Sequence, residues 1–321
     1  MNLLISRHDK IGDFVLCLPM IKIAKESLLN TKIIVLVSKV NYDFAKNIDF
    51  IDDVILYEDD LFSLVKNIKK KKIDISISAF TDTKLACSLL LSGIKTRYAP
   101  ATKIAQFFSN KRIRQRRSKV EKSEYEYNID LLKHYNSEIK IYFDKELLKF
   151  TKLEKERELA LFKSKFSLKG NFKYIAFHPG FGGSSDGNLT LDDYLNLAKS
   201  ISHNSKIKVV FTFGPDDIKS KDYIKSRIDF DAILYSSDLP LIDFCKLLSS
   251  FYLLVSTSTG PMHLAGAVNI HTLSFFGDSL FASPKRWKTI NEESKQHNFI
   301  LPKNYNRSVY FGIEDMLKKL V

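Results

Sequence analysis

Three short segments carry residues whose types and spacing suit chemistry. The first is Arg7-His8-Asp9-Lys10-Ile11-Gly12-Asp13, a charged turn set between an apolar strand-like run and the apolar stretch Phe14 to Pro19. Asp13 admits two readings. As a helix N-cap it would accept backbone N–H bonds and complement the helix dipole. As a general base it would need a place at a cleft mouth and a nearby cation to hold the carboxylate. The second segment runs from Ile175 to Ser185, where His178-Pro179 lead into Gly180, Gly182, Gly183, Ser184 and Ser185. So few side chains let backbone N–H groups approach a phosphate closely. It matches neither the Walker A pattern nor GxGxxG, which leaves nicotinamide dinucleotide binding unsupported, and an ordinary loop is the alternative. In the third, Val255 to Ala267, a run of hydroxyls through Ser258 and Thr259 meets Gly260 and Pro261. Pro261 suits the first helical turn, and the free N–H groups there form a diphosphate cradle. His263 either reaches the same anion or simply packs between helix and loop.

The charge balance is 50 Lys+Arg against 37 Asp+Glu, a net +13. Such a surface attracts nucleic acid, anionic membrane and acidic substrates alike. Lysines such as Lys69 to Lys72 coat solvent-facing positions, but Lys111-Arg112-Ile113-Arg114-Gln115-Arg116-Arg117 is denser. No nucleic-acid-binding motif accompanies it, so nucleic acid is not an expected partner. The stretch Lys103 to Lys119 interleaves Ile104, Phe107 and Phe108 with cations, a composition suited to an anionic lipid surface. A solvated connection packed on the first domain is the alternative. Cys17, Cys87 and Cys245 lie far apart in apolar segments without CxxC spacing and are expected as reduced core residues. Asp229-Phe230-Asp231 reads as an interstrand loop, so no metal or other cofactor is expected. No apolar run nears the roughly 18 residues of a membrane span, and the opening stretch is too short for a secretory signal. The expected location is cytoplasmic, with a peripheral contact at the cytoplasmic face of the inner membrane.

The elements that must position these residues alternate strand with helix, the pattern of an α/β fold with parallel sheets covered by helices. Strands are expected at 2–6, 32–38, 54–57 and 73–78, with helices near 13–27, 42–48, 61–71 and 125–134. Region 98–123 loses clear periodicity and reads as a long basic connection, partly helical. After a charged helical stretch over 145–167, a second series of strands is expected at 174–178, 208–213, 232–234, 252–256 and 272–276. Helices between them are expected at 190–203, 215–226, 240–249 and 261–267. This pattern predicts two Rossmann-like, doubly wound domains, 1–168 and 169–321, facing across a cleft at their carboxyl strand ends.

Four blocks resemble glycosyltransferase family 9. Arg7 to Asp13 is similar to its RxDxIGD signature, and His178-Pro179-Gly180 with Gly182 to Ser185 resembles HPGxGGSxK. Thr259-Gly260-Pro261-Met262-His263 resembles [ST]GPxH, and Phe276-Gly277 with Pro284-Lys285-Arg286-Trp287 resembles FG…PxRW. The blocks span residues 7 to 287 in the family's order. The resemblance implies a GT-B fold and inverting, metal-independent transfer of a heptose from ADP-heptose to the inner core of lipopolysaccharide or lipooligosaccharide. It implies Asp13 as general base. Donor contacts would come from His178, Gly180, Gly182, Gly183, Ser184, Ser185, Asp217, Ser258, Thr259, Gly260, Pro261 and His263. Acceptor contacts would come from the first domain, where Arg7, Lys10, Gly12, Arg112, Arg114, Arg116 and Arg117 are the candidates for an anionic glycolipid. Two positions depart from the pattern: Asp186 stands where a donor-binding lysine is usual, and Ser258 where an aspartate is common. Lost polar contacts of this kind can change the preferred sugar or nucleotide. A nucleotide-sugar-binding relative with epimerase activity, or with no transferase activity, is the alternative function.

Overall fold

The run Lys32-Ile33-Ile34-Val35-Leu36-Val37 buries five consecutive side chains, so both faces of its strand must be covered by other elements. The same holds for Lys173 to His178 and Leu253 to Thr257. The computed structural model describes residues 1–102, 104–180 and 187–321. It divides into Met1–Leu147 and Leu148–Val321. In the first unit the strands are β1 (Asn2–Ser6), β2 (Lys32–Val37), β3 (Asp53–Leu56), β4 (Ile75–Ser78), β5 (Thr96–Pro100) and β6 (Lys111–Ile113). They form one parallel sheet in the order β3-β2-β1-β4-β5-β6.

The second unit repeats this plan. Its strands are β7 (Lys173–His178), β8 (Ile207–Phe213), β9 (Ile233–Ser236), β10 (Leu253–Thr257), β11 (His271–Phe276) and β12 (Gln296–Ile300). Their order is β12-β11-β10-β7-β8-β9, again all parallel. Read from each unit's own first strand, both orders are the doubly wound 3-2-1-4-5-6, with the reversal beside the first strand. That strand's carboxyl end is where such sheets bind ligands.

Local signals explain most helix ends. Asp60 caps the helix Leu61–Lys70 by accepting from the Ser63 N–H at 2.7 Å, and Leu64 and Ile68, four apart, are its buried residues. Ser123 and Glu126 form a capping box at the start of Glu124–Tyr135. The helix expected over 13–27 is instead two, Ile11–Val15 and Leu18–Ser27. Pro19, which lacks an N–H, sits in the first turn of the second, where that group is not needed.

Two expectations change. The stretch 98–123 is not a plain connection, because β6 closes the sheet edge there between the 3-10 turns Ile104–Phe108 and Arg117–Lys119. The division between units falls at Leu147/Leu148, ahead of the 168/169 boundary read from the sequence. The charged helix Lys152–Lys165 packs into the second unit. Its Phe162 meets Tyr174, Tyr235 and Phe251 edge-on, at 5.4 to 5.7 Å between ring centroids.

Candidate functional site

β1 ends at Ser6, and the chain turns straight into Arg7 at the carboxyl edge of the first sheet. Arg7 is 3% exposed and is saturated by acids. Its Nε donates to Asp9 at 2.9 Å, Nη1 to Glu124 at 3.0 Å and Nη2 to Asp13 Oδ1 at 2.6 Å. Asn128 Oδ1 lies 3.4 Å from Nη1, and Asn128 Nδ2 donates to the Leu16 carbonyl at 3.0 Å. The helix Glu124–Tyr135 is thereby tied to Arg7 and, at Leu16, to the end of the helix Ile11–Val15. Charge-assisted bonds at these lengths fix a side chain firmly, and one guanidinium matches several carboxylates because its donors form a rigid fork.

The capping reading of Asp13 does not hold. Lys10 occupies the N-cap position of Ile11–Val15, and Asp13 lies in the first turn with its carboxylate bonded to Arg7. A partly exposed carboxylate oriented by a buried cation is the arrangement a general base requires. Asp9 beside it has its pKa pushed up to about 6, first by burial and further by the Asp13 charge, against the lowering pull of Arg7. Lys10 is exposed, and Gly12 sits between it and Asp13.

His8 forms a second cluster at the same edge. Its ring stacks on Tyr57 at 4.0 Å between centroids, and its Nε2 lies 3.0 Å from Asp82 Oδ2, which also accepts from the Tyr57 hydroxyl. Burial pushes the Asp82 pKa up, but bonds from His8, the Leu85 N–H and Tyr57 win and hold it well below the usual carboxylate range.

The basic cluster is partly absorbed by this network. Arg117 donates to Glu124 at 2.6 Å and to Gln115 at 2.9 Å. Arg112 is exposed on β6. Arg114 and Arg116, with Lys119, line a cavity of about 460 Å³ walled by Pro100, Ala101 and Thr102 at the carboxyl end of β5. Its lining is cationic without a carboxylate, so it suits an anionic group.

In the second unit β7 ends at His178, with Nδ1 3.1 Å from Thr212 Oγ1 and Nε2 3.6 Å from Asp217 Oδ2. Burial pushes the His178 pKa down against the pull of Asp217 and Thr212. Asp217 occupies an N-cap position without making a cap bond; its Oδ2 instead accepts from the Gly214 N–H at 2.7 Å. It lies so close to Gly180 that a Cβ there would stand 1.9 Å from Oδ1, which explains the glycine. Gly182, Gly183, Ser184 and Ser185, and the departing Asp186, lie outside the described residues. The chain after them is pinned where Thr257 Oγ1 donates to the Gly187 carbonyl, and a Cβ on Gly187 would stand 2.5 Å from the Gly277 nitrogen.

β10, the neighbour of β7, delivers the third segment. Thr259 is the N-cap residue of Gly260–Ala267, but its hydroxyl lies 3.1 Å from Ser256 Oγ and donates to the Thr257 carbonyl, so no side chain caps the helix. Its first N–H groups are thus left to another acceptor. Pro261 stands in the first turn, and Ser258 donates its N–H to the Phe275 carbonyl. His263 is buried, and that burial pushes its pKa down to about 3, so it presents a neutral imidazole and no charge to an anion. The Arg286 guanidinium stacks on Phe281 at 3.7 Å.

Asp229 and Asp231 stand away from these groups. They precede β9 and pair with Lys199 and Lys208, both at 2.5 Å. Cys17 and Cys245 are buried thiols and Cys87 is half-buried. Among the described residues no helix is long and apolar enough to cross a membrane.

With this geometry, similarity to known proteins decides the family. The model of glycosyltransferase family 9 (heptosyltransferase) matches residues 61–320. The chain belongs to glycosyltransferase family 9. A Haemophilus influenzae protein named "Putative glycosyltransferase" is 35% identical over 311 residues, covering 94% of this chain and 89% of its own length. E. coli ADP-heptose LPS heptosyltransferase II superposes with a TM-score of 0.83 at 18% identity, over 100% of this chain and 98% of that one. E. coli heptosyltransferase WaaC with ADP-2-deoxy-2-fluoro heptose gives 0.74 at 14% identity, over 100% of both chains. The two six-stranded parallel sheets with flanking helices are those of the GT-B fold, and this family 9 member is a glycosyltransferase.

Residues such as Glu124 and Asn128, which hold Arg7, were not foreseen from the sequence. The one local signal was the Ser123-x-x-Glu126 box that starts their helix.

Proposed function

We propose that this family 9 glycosyltransferase moves a heptose, or a closely related sugar, from a nucleotide-sugar donor to a lipopolysaccharide or lipooligosaccharide core acceptor, with inversion and without a metal. ADP-heptose is the donor we favour, supported by the solved family-9 neighbour holding an ADP-heptose analogue. The observation that carries the mechanism is the bond from Arg7 Nη2 to Asp13 Oδ1. It orients the carboxylate that, in this reading, takes the proton of the acceptor hydroxyl. That oxygen attacks the anomeric carbon, and the bond to the diphosphate breaks with its electron pair on the leaving oxygen. The uncapped helix start at Gly260 meets that charge with backbone N–H groups. In this reading Asp217 and His178 frame the donor side, and Asp217 contacts the ribose, supported by the contact between them at the carboxyl end of β7.

On the acceptor side, the cationic lining of the Arg114 and Arg116 cavity supports a phosphorylated glycolipid as the acceptor, met in this reading at the cytoplasmic face of the inner membrane. The test is a panel of nucleotide sugars screened by thermal shift in chelator, since a ligand of the folded state raises its midpoint by mass action. ADP-heptose is expected to give the largest shift. No shift from any nucleotide sugar without magnesium would overturn the metal-free donor assignment.

A further inference from the structure

At the carboxyl edge of the first sheet, three strands end on side chains that the carboxylates around Arg7 leave aside. Tyr57 directly follows β3, His8 stands two residues beyond β1, and Phe80 two beyond β4. β1 and β4 are neighbours at the point where the strand order reverses, the crevice in which doubly wound sheets hold their ligands. The N–H groups of Ala79 and Phe80 both donate to the Ser6 carbonyl, at 3.0 and 3.3 Å, so the chain carrying Phe80 is fastened to β1. Phe80 is 38% exposed. Its ring tilts against His8 at 5.0 Å between centroids, and the Arg7 guanidinium carbon stands 5.9 Å from its centre. Arg7 is also the side chain that bonds Asp13, so Phe80 lies one side chain away from that carboxylate.

Asp82 stands two residues further on. Its Oδ1 caps the helix Thr83–Leu91 by accepting from the Leu85 N–H at 2.7 Å, and that bond alone would serve a cap. Its Oδ2 is held as well, by the Tyr57 hydroxyl from the end of β3 and by His8 Nε2 at 3.0 Å from the end of β1. The carboxylate is therefore fixed from three elements, yet its side chain stays 40% exposed. A carboxylate offers about four acceptor directions, so one is left for a further donor. The cations that come near are engaged: Lys84 lies over the Tyr57 ring at 4.4 Å and donates to the Asp59 carbonyl at 3.1 Å, and Arg7 is held by its three acids. The accessible charge at the end of β4 is thus negative. The cation-lined cavity opens one strand further along, at the end of β5.

An exposed aromatic face beside a fixed carboxylate is complementary to a sugar ring, whose C–H face covers the aromatic ring while a hydroxyl donates to the carboxylate. The same carboxylate repels a phosphate or a second carboxylate placed there. We propose that Phe80 and Asp82 form a subsite for an uncharged sugar ring, the acceptor unit that presents its hydroxyl to Asp13, with His8 and Tyr57 as positioning residues for Asp82. The subsite rests on the acceptor reading above for its place beside the base. It divides the acceptor into a neutral ring at the end of β4 and an anionic group at the end of β5.

The test uses two probes that differ only in charge, methyl α-mannoside and its uronate, the same ring with its primary alcohol oxidised to a carboxylate. Each is read by saturation-transfer NMR on the full chain. The wild type is expected to bind the mannoside and refuse the uronate. Phe80→Ala should lose the mannoside signal, Phe80→Tyr should keep it, and Asp82→Asn should lose the discrimination between the two probes. With a deacylated core oligosaccharide as acceptor, Phe80→Ala and Asp82→Asn should each raise the acceptor KM roughly tenfold or more at unchanged donor affinity. Asp82→Asn keeps an oxygen for the Leu85 N–H, and Phe80→Ala touches no cap, so loss of folding in the first leaves the second to decide. Equal signals from both probes in the wild type, no mannoside signal, or a mannoside signal that survives Phe80→Ala overturns the subsite. Charge-selective binding without transfer to the oligosaccharide would instead sink the function proposed above, and transfer with an unchanged acceptor KM in both variants would sink only the subsite.

Discussion

Replacing Asp13 by asparagine separates its chemistry from its structural part. In the wild type, Arg7 is shared among Asp9, Asp13 and Glu124, at 2.9, 2.6 and 3.0 Å. The asparagine keeps an oxygen that can accept from Nη2, and the buried guanidinium keeps two carboxylates. The cost to folding should therefore be no more than about 1 kcal/mol, that of one weakened hydrogen bond. The cost to turnover should be the loss of a general base, roughly 10² to 10⁴ in kcat, or about 3 to 5 kcal/mol of barrier. Initial rates of nucleotide diphosphate release, donor affinity by titration and a thermal unfolding curve read these separately. A folded variant with normal donor affinity and near wild-type kcat would refute the base assignment. Arg7→Met gives the contrast: it leaves Asp9, Asp13 and Glu124 clustered without their shared cation. Breaking a buried ion-pair set in this way costs about 3–5 kcal/mol, so this variant should lose stability as well as activity.

Gly180→Ala would place a Cβ 1.9 Å from Asp217 Oδ1 and force that carboxylate off the Gly214 N–H. Stability should fall by about 1–3 kcal/mol with donor affinity reduced, and adding Asp217→Ala should restore the unfolding midpoint; no drop in the single variant would contradict this account of the glycine. Asp9 holds its proton more tightly in the folded state, at about 6 against an ordinary 3.8, so its contribution to stability is greatest below pH 4 and falls as pH rises to 6. Asp9→Asn should remove that fall from denaturant midpoints measured across the window, and Asp13→Asn should shift it to lower pH; an unchanged slope in Asp9→Asn would assign the dependence elsewhere. Arg112→Gln, Arg114→Gln and Arg116→Gln together should raise the acceptor KM and flatten its salt dependence without altering donor affinity, whereas unaltered kinetics over a salt series would leave these residues outside acceptor binding.

The central strands were legible in the sequence because parallel strands buried on both faces read as continuous apolar runs, as in Lys32 to Val37 and Leu253 to Thr257. The edge strands were not. β6 has three residues, two of them exposed and basic, so neither alternation nor an apolar run marks it. β12 likewise buries none of its five residues fully. The helix Lys152–Lys165 was visible as a helix but not as part of the second unit, because Phe162 is its only buried residue. Of the site, Arg7 and Asp13 could be named from their resemblance to the RxDxIGD signature. Their contact spans only six residues, but the closing of the charge network by Glu124 and Asn128 on Arg7 depends on sequence separations of more than one hundred residues. Asp217 was legible as an acid at a helix start. That it caps nothing and instead packs against Gly180 is a tertiary fact.

The most direct test of the proposed transfer is to incubate the protein with ADP-heptose and a deacylated core oligosaccharide in the presence of chelator, then assign the product by mass spectrometry and NMR. The account predicts an acceptor lengthened by one heptose, ADP released in equal amount, an anomeric configuration opposite to the donor's, and loss of product in Asp13→Asn. Donor consumed without a lengthened acceptor, a product of retained configuration, or an absolute need for added metal would contradict it.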